Sequence, residues 1–264
     1  MSLRLIEART HVVAVEDGRV TGTIGVLCQP GRVGLIFPPE LDRPSAAVPG
    51  ALIDAAVRRL EKAGAAFVQL TLPADDAKLA EPFLDHGFSL LTDAVVLERP
   101  PSPKERGSQP DSLRAIPCHS QADSGCVAGM IARINDGTLD CPELDVLRSA
   151  NDLLAAHRSH SEGGRARWWR YEDAGNDVGV VLGATAEDAD AIEILFFGVV
   201  PEHRGKGLGR KLLDRFLSDA GRDGQMARAG MDCRNHFAHS VYAACGFRET
   251  GRLRVWVHPL AAPV

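Results

Sequence analysis

The sequence predicts a mixed α/β fold built from two similar halves, and three observations lead to it. Short β-rich runs alternate with runs that are apolar at helical spacing, which is typical of sheets flanked by helices. The order helix, strand, helix, Gly-Phe pair, strand occurs once in each half of the chain. A proline-rich polar stretch at 100–111, "PPSPKERGSQPD", predicts a linker between the copies. We therefore predict one domain over residues 1–99 and a second over residues 112–264.

The first half begins with strands and continues with an amphipathic helix. Asp-Gly and Pro-Gly turns separate the β-rich runs of "HVVAVEDGRVTGTIGVLCQPGRVGLIFP" and predict two or three strands. A helix, a glycine stop and a buried strand follow in "ALIDAAVRRLEKAGAAFVQLTLP". A second helix then ends at Gly87 and Phe88, and "AVVLERP" predicts the last strand.

The second half begins with a strand in "DSLRAIPCHS" and continues with two helices. These helices are predicted in "ADSGCVAGMIARIND" and "ELDVLRSANDLLAAHRSH", and strands are predicted in "RARWWRYED" and "DVGVVLGATAED". Two interpretations of Arg165, Arg167, Trp168 and Trp169 stay open at this point. They line a pocket, or they form an exposed strand edge with core aromatics.

A loop rich in glycine and cations lies between a buried strand and a helix, within "EILFFGVVPEHRGKGLGRKLLDRFL" at 193–217. Pro201 ends the strand because it removes a donor from the ladder. Glycines at 205, 207 and 209 allow close approach of the backbone to a ligand, and the following helix offers unpaired N–H groups at its first turn. This combination predicts an anion site suited to a phosphate or pyrophosphate. The surrounding cations are Arg204, Lys206, Arg210 and Lys211.

Two motifs together resemble those of the GNAT superfamily of N-acetyltransferases. The loop matches neither the dinucleotide fingerprint nor the P-loop, but it matches R-x-x-G-x-G at Arg204, Gly207 and Gly209. Downstream, "NHFAHSVYAACGF" at 235–247 is similar to the second signature of that family. The matching residues are Asn235, Ala238, Tyr242, Gly246 and Phe247.

The resemblance implies tandem GNAT-like domains, each a mostly antiparallel twisted sheet flanked by helices, with the second domain active. It implies acetyl-CoA as co-substrate and a primary amine as acceptor, whose pocket would be built from residues 124–170. The N–H of Val199 would polarise the acetyl carbonyl, and Tyr242 would be the general acid that protonates the CoA sulfur. The implied cofactor-binding residues are Phe197, Gly198, Val199, Arg204, Gly205, Lys206, Gly207, Leu208, Gly209, Arg210 and Asn235.

The general base stays open between three candidates. The resemblance implies Glu193, at the start of the cofactor strand, and burial there would raise the pKa of its carboxyl group. Glu202 and a water molecule are the alternatives. A cluster of Cys233, His236, His239 and Cys245 has residue types that zinc prefers, but we expect packing and surface roles there and no metal.

The first half lacks the chemistry of the second. At the equivalent loop, "PELDRPSAAVPGA", Pro44 and Pro49 remove two backbone donors. Alignment on the Gly-Phe pairs places Asp76 opposite Asn235, and Phe83 opposite Tyr242. We expect a structural or dimerising domain, and binding of a second acyl-CoA or an effector is the alternative.

Composition limits the remaining possibilities. The net charge of −5 gives no global basic footprint, so we expect no nucleic-acid partner. No apolar run reaches the length of a membrane span, and the N-terminus lacks a signal-peptide core. Six scattered cysteines are typical of reduced thiols in the cytoplasm. A non-catalytic acyl-CoA sensor, an acyl group larger than acetyl, and a homodimer stay open as alternatives.

Overall fold

The computed structural model describes residues 3–7, 9–101, 113–118, 120–186, 191–220 and 225–260. From residue 102 onward, the predicted linker lies outside the described residues. The chain forms two compact units. The first comprises Met1–Asp93 and Arg252–Val264, and the second comprises Ala94–Gly251. The predicted mixed α/β class is confirmed, because both units are mostly antiparallel sheets with flanking helices.

The first unit is a sheet covered by one long helix. Its elements are β1 (Leu3–Glu7), β2 (His11–Glu16), β3 (Arg19–Gln29), β4 (Val33–Ile36), β5 (Glu40–Leu41), α1 (Val48–Lys62), β6 (Phe67–Pro73), α2 (Glu81–Leu84) and the start of β7 (Ser89–Arg99). Strands β1 to β4 pair antiparallel in order, and β4 pairs parallel with β6. The apolar stripe of α1, including Leu52 and Ile53, is fully buried against this sheet.

The second unit carries the predicted site. Its elements are the end of β7, β8 (Arg114–Pro117), α3 (Ser124–Asn135), α4 (Ala150–His160), β9 (Ala166–Asp173), β10 (Asn176–Thr185), β11 (Ala191–Val199), α5 (Leu208–Ala220), β12 (Met226–Asp232), α6 (His236–Ala244) and the start of β13 (Arg248–Pro259). The strand order is β7, β12, β11, β10, β9, β8, and among the strand pairs that the structure describes in this unit only β11 and β12 are parallel.

Helices cover both faces of this sheet. Val181 of β10 packs in the cluster that contains α5 and α6, whereas its neighbours Val180 and Leu182 pack in the cluster that contains α3 and α4. Because successive side chains of a strand point to opposite faces, the two helix pairs lie on opposite sides. Strand β10 is therefore almost wholly buried, as its apolar sequence predicts.

The internal repeat is visible in local geometry. The Phe83 and Phe88 rings meet edge to face with centroids 5.2 Å apart, and Tyr242 and Phe247 meet in the same way at 5.1 Å. In each copy the second aromatic residue donates its N–H to the carbonyl of the first. The glycine before it has a φ of +82° at Gly87 and +85° at Gly246. These glycines are needed because side chains rarely adopt that conformation.

Each unit takes one strand segment from the other half of the sequence. In the first unit, residues 253–259 of β13 pair antiparallel with β6, and Trp256 is buried in the core. In the second unit, residues 94–99 of β7 pair antiparallel with β12. The repeat pattern alone assigns each strand to its own half. Both strands follow a Gly-Phe pair and have the same pattern, so the sequence does not distinguish their partners. None of the helices in the described ranges combines the length and apolar character needed to cross a membrane.

Candidate functional site

Strand β11 leaves its parallel neighbour halfway along its length. It pairs with β10 from Ile192 to Val199, but its pairing with β12 ends at Ile194 and Ala229. An extra residue, Leu195, forms a bulge at that point, because Ile194 and Phe196 face consecutive residues of β10. Among the described strands, residues 195–199 therefore pair on the β10 side alone, and an opening lies on their other side.

The backbone N–H groups of Phe197 and Val199 face this opening. Val199 lies opposite Gly179 of β10, and the hydrogen bond joins the residues beside them: Val200 donates its N–H to the carbonyl of Val178 at 3.0 Å. Val199 and Gly179 are therefore a non-hydrogen-bonded pair of the antiparallel ladder. Because N–H direction alternates along a strand, the donors of Phe197 and Val199 point away from β10. They are the two backbone donors that the sequence analysis assigned to the cofactor.

The glycine loop lies directly after this strand. Gly205 and Gly207 have φ values of +74° and +75°, and a Cβ atom at either would meet nothing within 4 Å. Helix α5 begins at Leu208, so its first N–H groups have no partner within the helix and its positive dipole end faces the loop. The exposed side chains of Lys206 and Arg210 flank this surface. This geometry suits an anion.

Three residues predicted to bind cofactor have packing roles in this structure. The guanidinium of Arg204 donates to the carbonyls of Val199, Asp136 and Ile134 at 3.1, 2.9 and 2.5 Å, which ties the end of α3 to the end of β11. A Cβ atom at Gly198 would lie 2.2 Å from the side chain of Ile134. At Gly209 it would lie 3.3 Å from Val241 of α6. These contacts were not predicted from the sequence.

Helix α6 places Tyr242 beside the opening. Asn235 caps the helix, because its side chain accepts the N–H of Ala238 at 3.1 Å. The Tyr242 ring is 5% exposed and meets Phe197 edge to face with centroids 6.0 Å apart. Burial raises the pKa of the Tyr242 phenol, and the negative charge of Asp140 raises that pKa further. The phenol is therefore protonated at neutral pH.

A cleft of about 160 Å³ opens between β11, α6 and the segment from α3 to α4. Of the predicted site residues, Phe197, Asn235 and Tyr242 line it. The polar lining that the sequence analysis did not predict is Asn135, Thr138, Asp140, Cys141, Asp145, Arg148 and His157. The sequence feature that could have indicated these residues is the polar loop "NDGTLDCPELD", which lies within the expected acceptor region.

A network of charges fixes the loop that carries Asp140. The Arg234 guanidinium binds Asp232 at 2.6 Å and Glu143 at 2.5 and 2.9 Å. The buried Asp232 carboxylate also accepts the N–H of Cys141 at 3.1 Å, and its own N–H donates to the Asp140 carboxylate at 2.9 Å. The loop between α3 and α4 is therefore anchored to the end of β12.

The carboxylate and thiol groups of this loop have donor types that a cation would accept. Ligand atoms of Asp140, Cys141 and Asp232 lie within 4.8 Å of one another. However, the Arg234 guanidinium already neutralises Asp232, and burial followed by the charges of Asp140 and Asp232 raises the pKa of the Cys141 thiol. A protonated thiol is a poor metal ligand.

The cysteine–histidine cluster of the sequence is divided between a buried Cys245 and exposed side chains at Cys233, His236 and His239.

The two carboxylates predicted as general bases do not line the cleft. Glu193 is half-buried at the start of β11, in register with Ala184 of β10 and Arg228 of β12. Glu202 is exposed and forms an ion pair with Arg133. A hydrogen bond from its own backbone and the bond from Arg133 lower the pKa of Glu202. A lowered pKa makes a carboxylate a weaker proton acceptor.

His157 is a neutral histidine on the α4 wall of the cleft. Its ring lies 5.9 Å from that of Phe196, and its buried Nε2 has no hydrogen-bond partner among the described residues. Burial, and then the positive charge of Arg148, lower the pKa of His157 to about 3. A neutral imidazole offers a hydrogen bond to a ligand without adding charge.

The arginine and tryptophan residues of β9 lie elsewhere. Trp168 is buried, with its Nε1 donating to Ser161 at 3.2 Å, and Trp169 packs against Phe216. Arg167 donates to the carbonyl of Ala166 at 2.8 Å. These residues line a separate open groove and not the cleft beside Tyr242. The aromatic residues therefore belong to core packing.

Comparisons with known proteins agree with the motifs. Residues 164–249 match the family model of the acetyltransferase (GNAT) domain, which confirms the resemblance drawn from the sequence. No curated protein matches the chain.

Solved structures share the fold across almost the whole chain. A GCN5-related N-acetyltransferase from Sphaerobacter thermophilus has 16% identity and a TM-score of 0.65, over 95% of this chain and 81% of that one. A tandem GNAT protein from the clavulanic acid biosynthesis pathway has 18% identity and a TM-score of 0.58, over 96% and 83%. A GCN5-related N-acetyltransferase from Kribbella flavida has 16% identity and a TM-score of 0.54, over 98% and 91%. At such identities the similarity shows the fold alone.

Proposed function

We propose, on the premise that residues 164–249 form a GNAT acetyltransferase domain, that the protein transfers an acetyl group from acetyl-CoA to a primary amine. One observation carries the proposal. The opening between β11 and β12 leads directly into the glycine loop and the first turn of α5. An extended thioester arm would need the opening beside the strand, and the pyrophosphate that follows it would need the glycine loop and the start of α5.

The donor would bind through the backbone. The pyrophosphate would lie at the N-terminus of α5, with Gly205 and Gly207 keeping side chains away from it. Lys206 and Arg210 would add positive charge. The pantetheine amides would pair with β11 beyond Ile194 in the way that an added strand pairs with a sheet edge. The N–H of Phe197 would donate to the pantetheine, and the N–H of Val199 would stay available for the acetyl carbonyl.

The chemistry would be a direct acyl transfer. The neutral amine attacks the thioester carbonyl carbon, the C–N bond forms, and the C–S bond breaks with its electron pair going to sulfur. The N–H of Val199 would stabilise the oxyanion, a contribution worth roughly 10²–10³ in rate for one donor. Tyr242 would give its proton to the thiolate, and its buried phenol is protonated at neutral pH.

The first unit lacks the features on which this proposal depends. In the first unit, β4 stays paired with β6 up to its last residue, Ile36, so the strand has no opening like the one beside residues 195–199. No residue between 33 and 63 has a positive φ. At the start of α1, Val48 donates its N–H to Ser45 and Pro49 has none. We therefore expect no acyl-CoA bound to this unit.

Calorimetry with acetyl-CoA, followed by thiol release with a panel of amines, tests the proposal. The panel would contain an amino acid, an amino sugar, a polyamine and a short peptide. We expect one binding site per chain and release of thiol with at least one amine. Absence of binding would overturn the proposal. One site without release across the panel would favour the acyl-CoA sensor, and two sites would assign binding to the first unit as well.

A further inference from the structure

Asp140 occupies the position from which a base could act in the cleft. It lies between α3 and α4 and lines the cleft together with Phe197 and Tyr242. Asp140 and Tyr242 therefore border the same ligand space. Glu193 and Glu202, the acids that the sequence analysis considered, lie outside this lining.

The Asp140 carboxylate is held in place and still has free acceptor capacity. It accepts the N–H of Asp232 at 2.9 Å, and the Asp140 N–H donates to Thr138 at 3.1 Å. The ion pairs of Arg234 with Asp232 and Glu143 hold this loop against β12. A carboxylate has about four lone-pair sites, so one backbone bond leaves others for a substrate.

We propose that Asp140 is the general base that takes the proton from the attacking amine, an inference that rests on the proposed function. As the C–N bond forms, the amine N–H proton would move to an Asp140 oxygen. The C–S electron pair would go to sulfur, which takes the Tyr242 proton. Each group would then return to its starting state by exchanging a proton with solvent.

The electrostatics of the cleft support this role. Although Asp140 is an exposed residue, the surrounding loop removes part of the water from its carboxyl group, and this loss, with the nearby charge of Asp232, raises the pKa of Asp140. The bond from the Asp232 N–H and the charges of Arg148 and Arg234 lower that pKa in part. The net effect is a raised pKa, which makes the carboxylate a better proton acceptor. Its negative charge in turn keeps Tyr242 protonated.

The test is Asp140→Asn, assayed with acetyl-CoA and the best amine of the panel. We expect kcat to fall by roughly 10²–10⁴-fold, the range for losing a general base. The acidic limb of the kcat profile should disappear, and the acetyl-CoA affinity should stay within about twofold by calorimetry. Asp219→Asn, on the exposed side of α5, is the matched control and should keep full activity.

A second variant separates chemistry from folding. Asp140→Ala should regain activity when formate is added, because a small carboxylate can enter the vacated space, whereas a misfolded protein would not respond. The role of Asp140 would be overturned if Asp140→Asn kept kcat within threefold of the wild type. It would also be overturned if the acidic limb were lost in Glu193→Gln instead. Either result would leave the proposed function standing. A wild-type protein without turnover would overturn the proposed function and this inference with it.

Discussion

The two tyrosines of the chain show how environment decides the role of a residue. Both phenols are buried, and burial raises the pKa of each. Tyr242 lines the cleft, whereas the hydroxyl of Tyr171 has no partner among the described residues and lies in the core between sheet and helices. Only Tyr242 is therefore placed to give a proton to a ligand.

Tyr242→Phe should lower kcat by roughly 10²–10⁴-fold while acetyl-CoA affinity changes little, because a general acid is lost but the binding surface is kept. Tyr171→Phe is the natural control. It should leave kcat unchanged and should not lower stability, because it removes a buried hydroxyl for which the described residues offer no hydrogen-bond partner. Steady-state kinetics and urea unfolding measure both. Turnover of Tyr242→Phe within a factor of two would make Tyr242 a packing residue.

His157 should make the protein less stable in acid. The folded state holds the pKa of His157 at about 3, below the ordinary value of 6.5. As the pH falls from 6.5 toward 3, the unfolded chain takes up a proton that the folded chain does not. Stability is therefore lost over that window, at up to about 1.4 kcal/mol per pH unit for one site.

Urea unfolding of His157→Leu between pH 7.5 and 4.5 measures this effect. The variant should have a shallower loss of stability than the wild type below pH 6.5. His239→Gln, exposed in α6, should keep the wild-type slope. Equal slopes for His157→Leu and the wild type would mean that His157 can take up a proton in the folded protein.

At the scale of elements, the strand, loop and helix around residues 191–220 form one continuous unit beside the opening. The bulge at Leu195 allows β11 to leave β12, and Arg204 ties the strand end to α3. Gly207 has a conformation that side chains disfavour and open space around it. Its role therefore differs from that of Gly209, which allows α5 to pack against Val241 of α6.

Gly207→Val should abolish acetyl-CoA binding while the fold persists, because the side chain would fill the space in front of the α5 N-terminus. Gly175→Val is a matched control, with a φ of +80° and nothing within 4 Å of a Cβ atom, but in the turn between β9 and β10. It should have the same backbone strain and bind acetyl-CoA normally. Calorimetry measures the acetyl-CoA affinity of both variants, and thermal unfolding measures their stability. Equal affinities would show that the loop does not bind the pyrophosphate.

At the scale of the whole molecule, the order of residues along the chain does not coincide with the compact units. Residues 252–259 complete the sheet of the first unit, and residues 94–99 complete that of the second. Neither unit can therefore be excised as one continuous segment without losing a strand and the core side chains on it. Trp256 is one of those side chains.

Trp256→Ala should destabilise the first unit, although it lies near the C-terminal end of the sequence. Replacing a buried tryptophan with alanine costs roughly 3–5 kcal/mol. Hydrogen exchange should show faster exchange of amides in α1 and β6, with α5 and β11 still protected. Trp168→Ala, also buried but in the second unit, should instead speed exchange in α3 and β10 and leave α1 and β6 protected. Protection lost first in α5 for Trp256→Ala would contradict the strand assignment.

The sequence by itself determined what depends on local interactions. Apolar periodicity predicted the α/β class, and the Gly-Phe pairs predicted the helix ends that Gly87 and Gly246 form with positive φ. The glycine loop before α5 and the helix of Tyr242 were predicted from adjacent residues, because turn, cap and helix preferences act over a few positions. The assignments of Val199, the loop residues and Tyr242 to acetyl-CoA stay predictions.

Only the tertiary structure decided which distant groups meet. β7 and β13 each pair with a strand from the other half of the sequence. Backbone pairing is the same for two strands of similar pattern, so the residues of these strands do not indicate which partner each one takes. The presence of Asp140 in the cleft depends on the Arg234 network between segments about ninety residues apart. The sequence favoured Glu193 because it lies on β11, the strand expected to bind the cofactor, but access to a cleft is a property of packing between elements. Such long-range contacts are selected by burial and charge pairing in the folded chain, and neighbouring residues do not encode them.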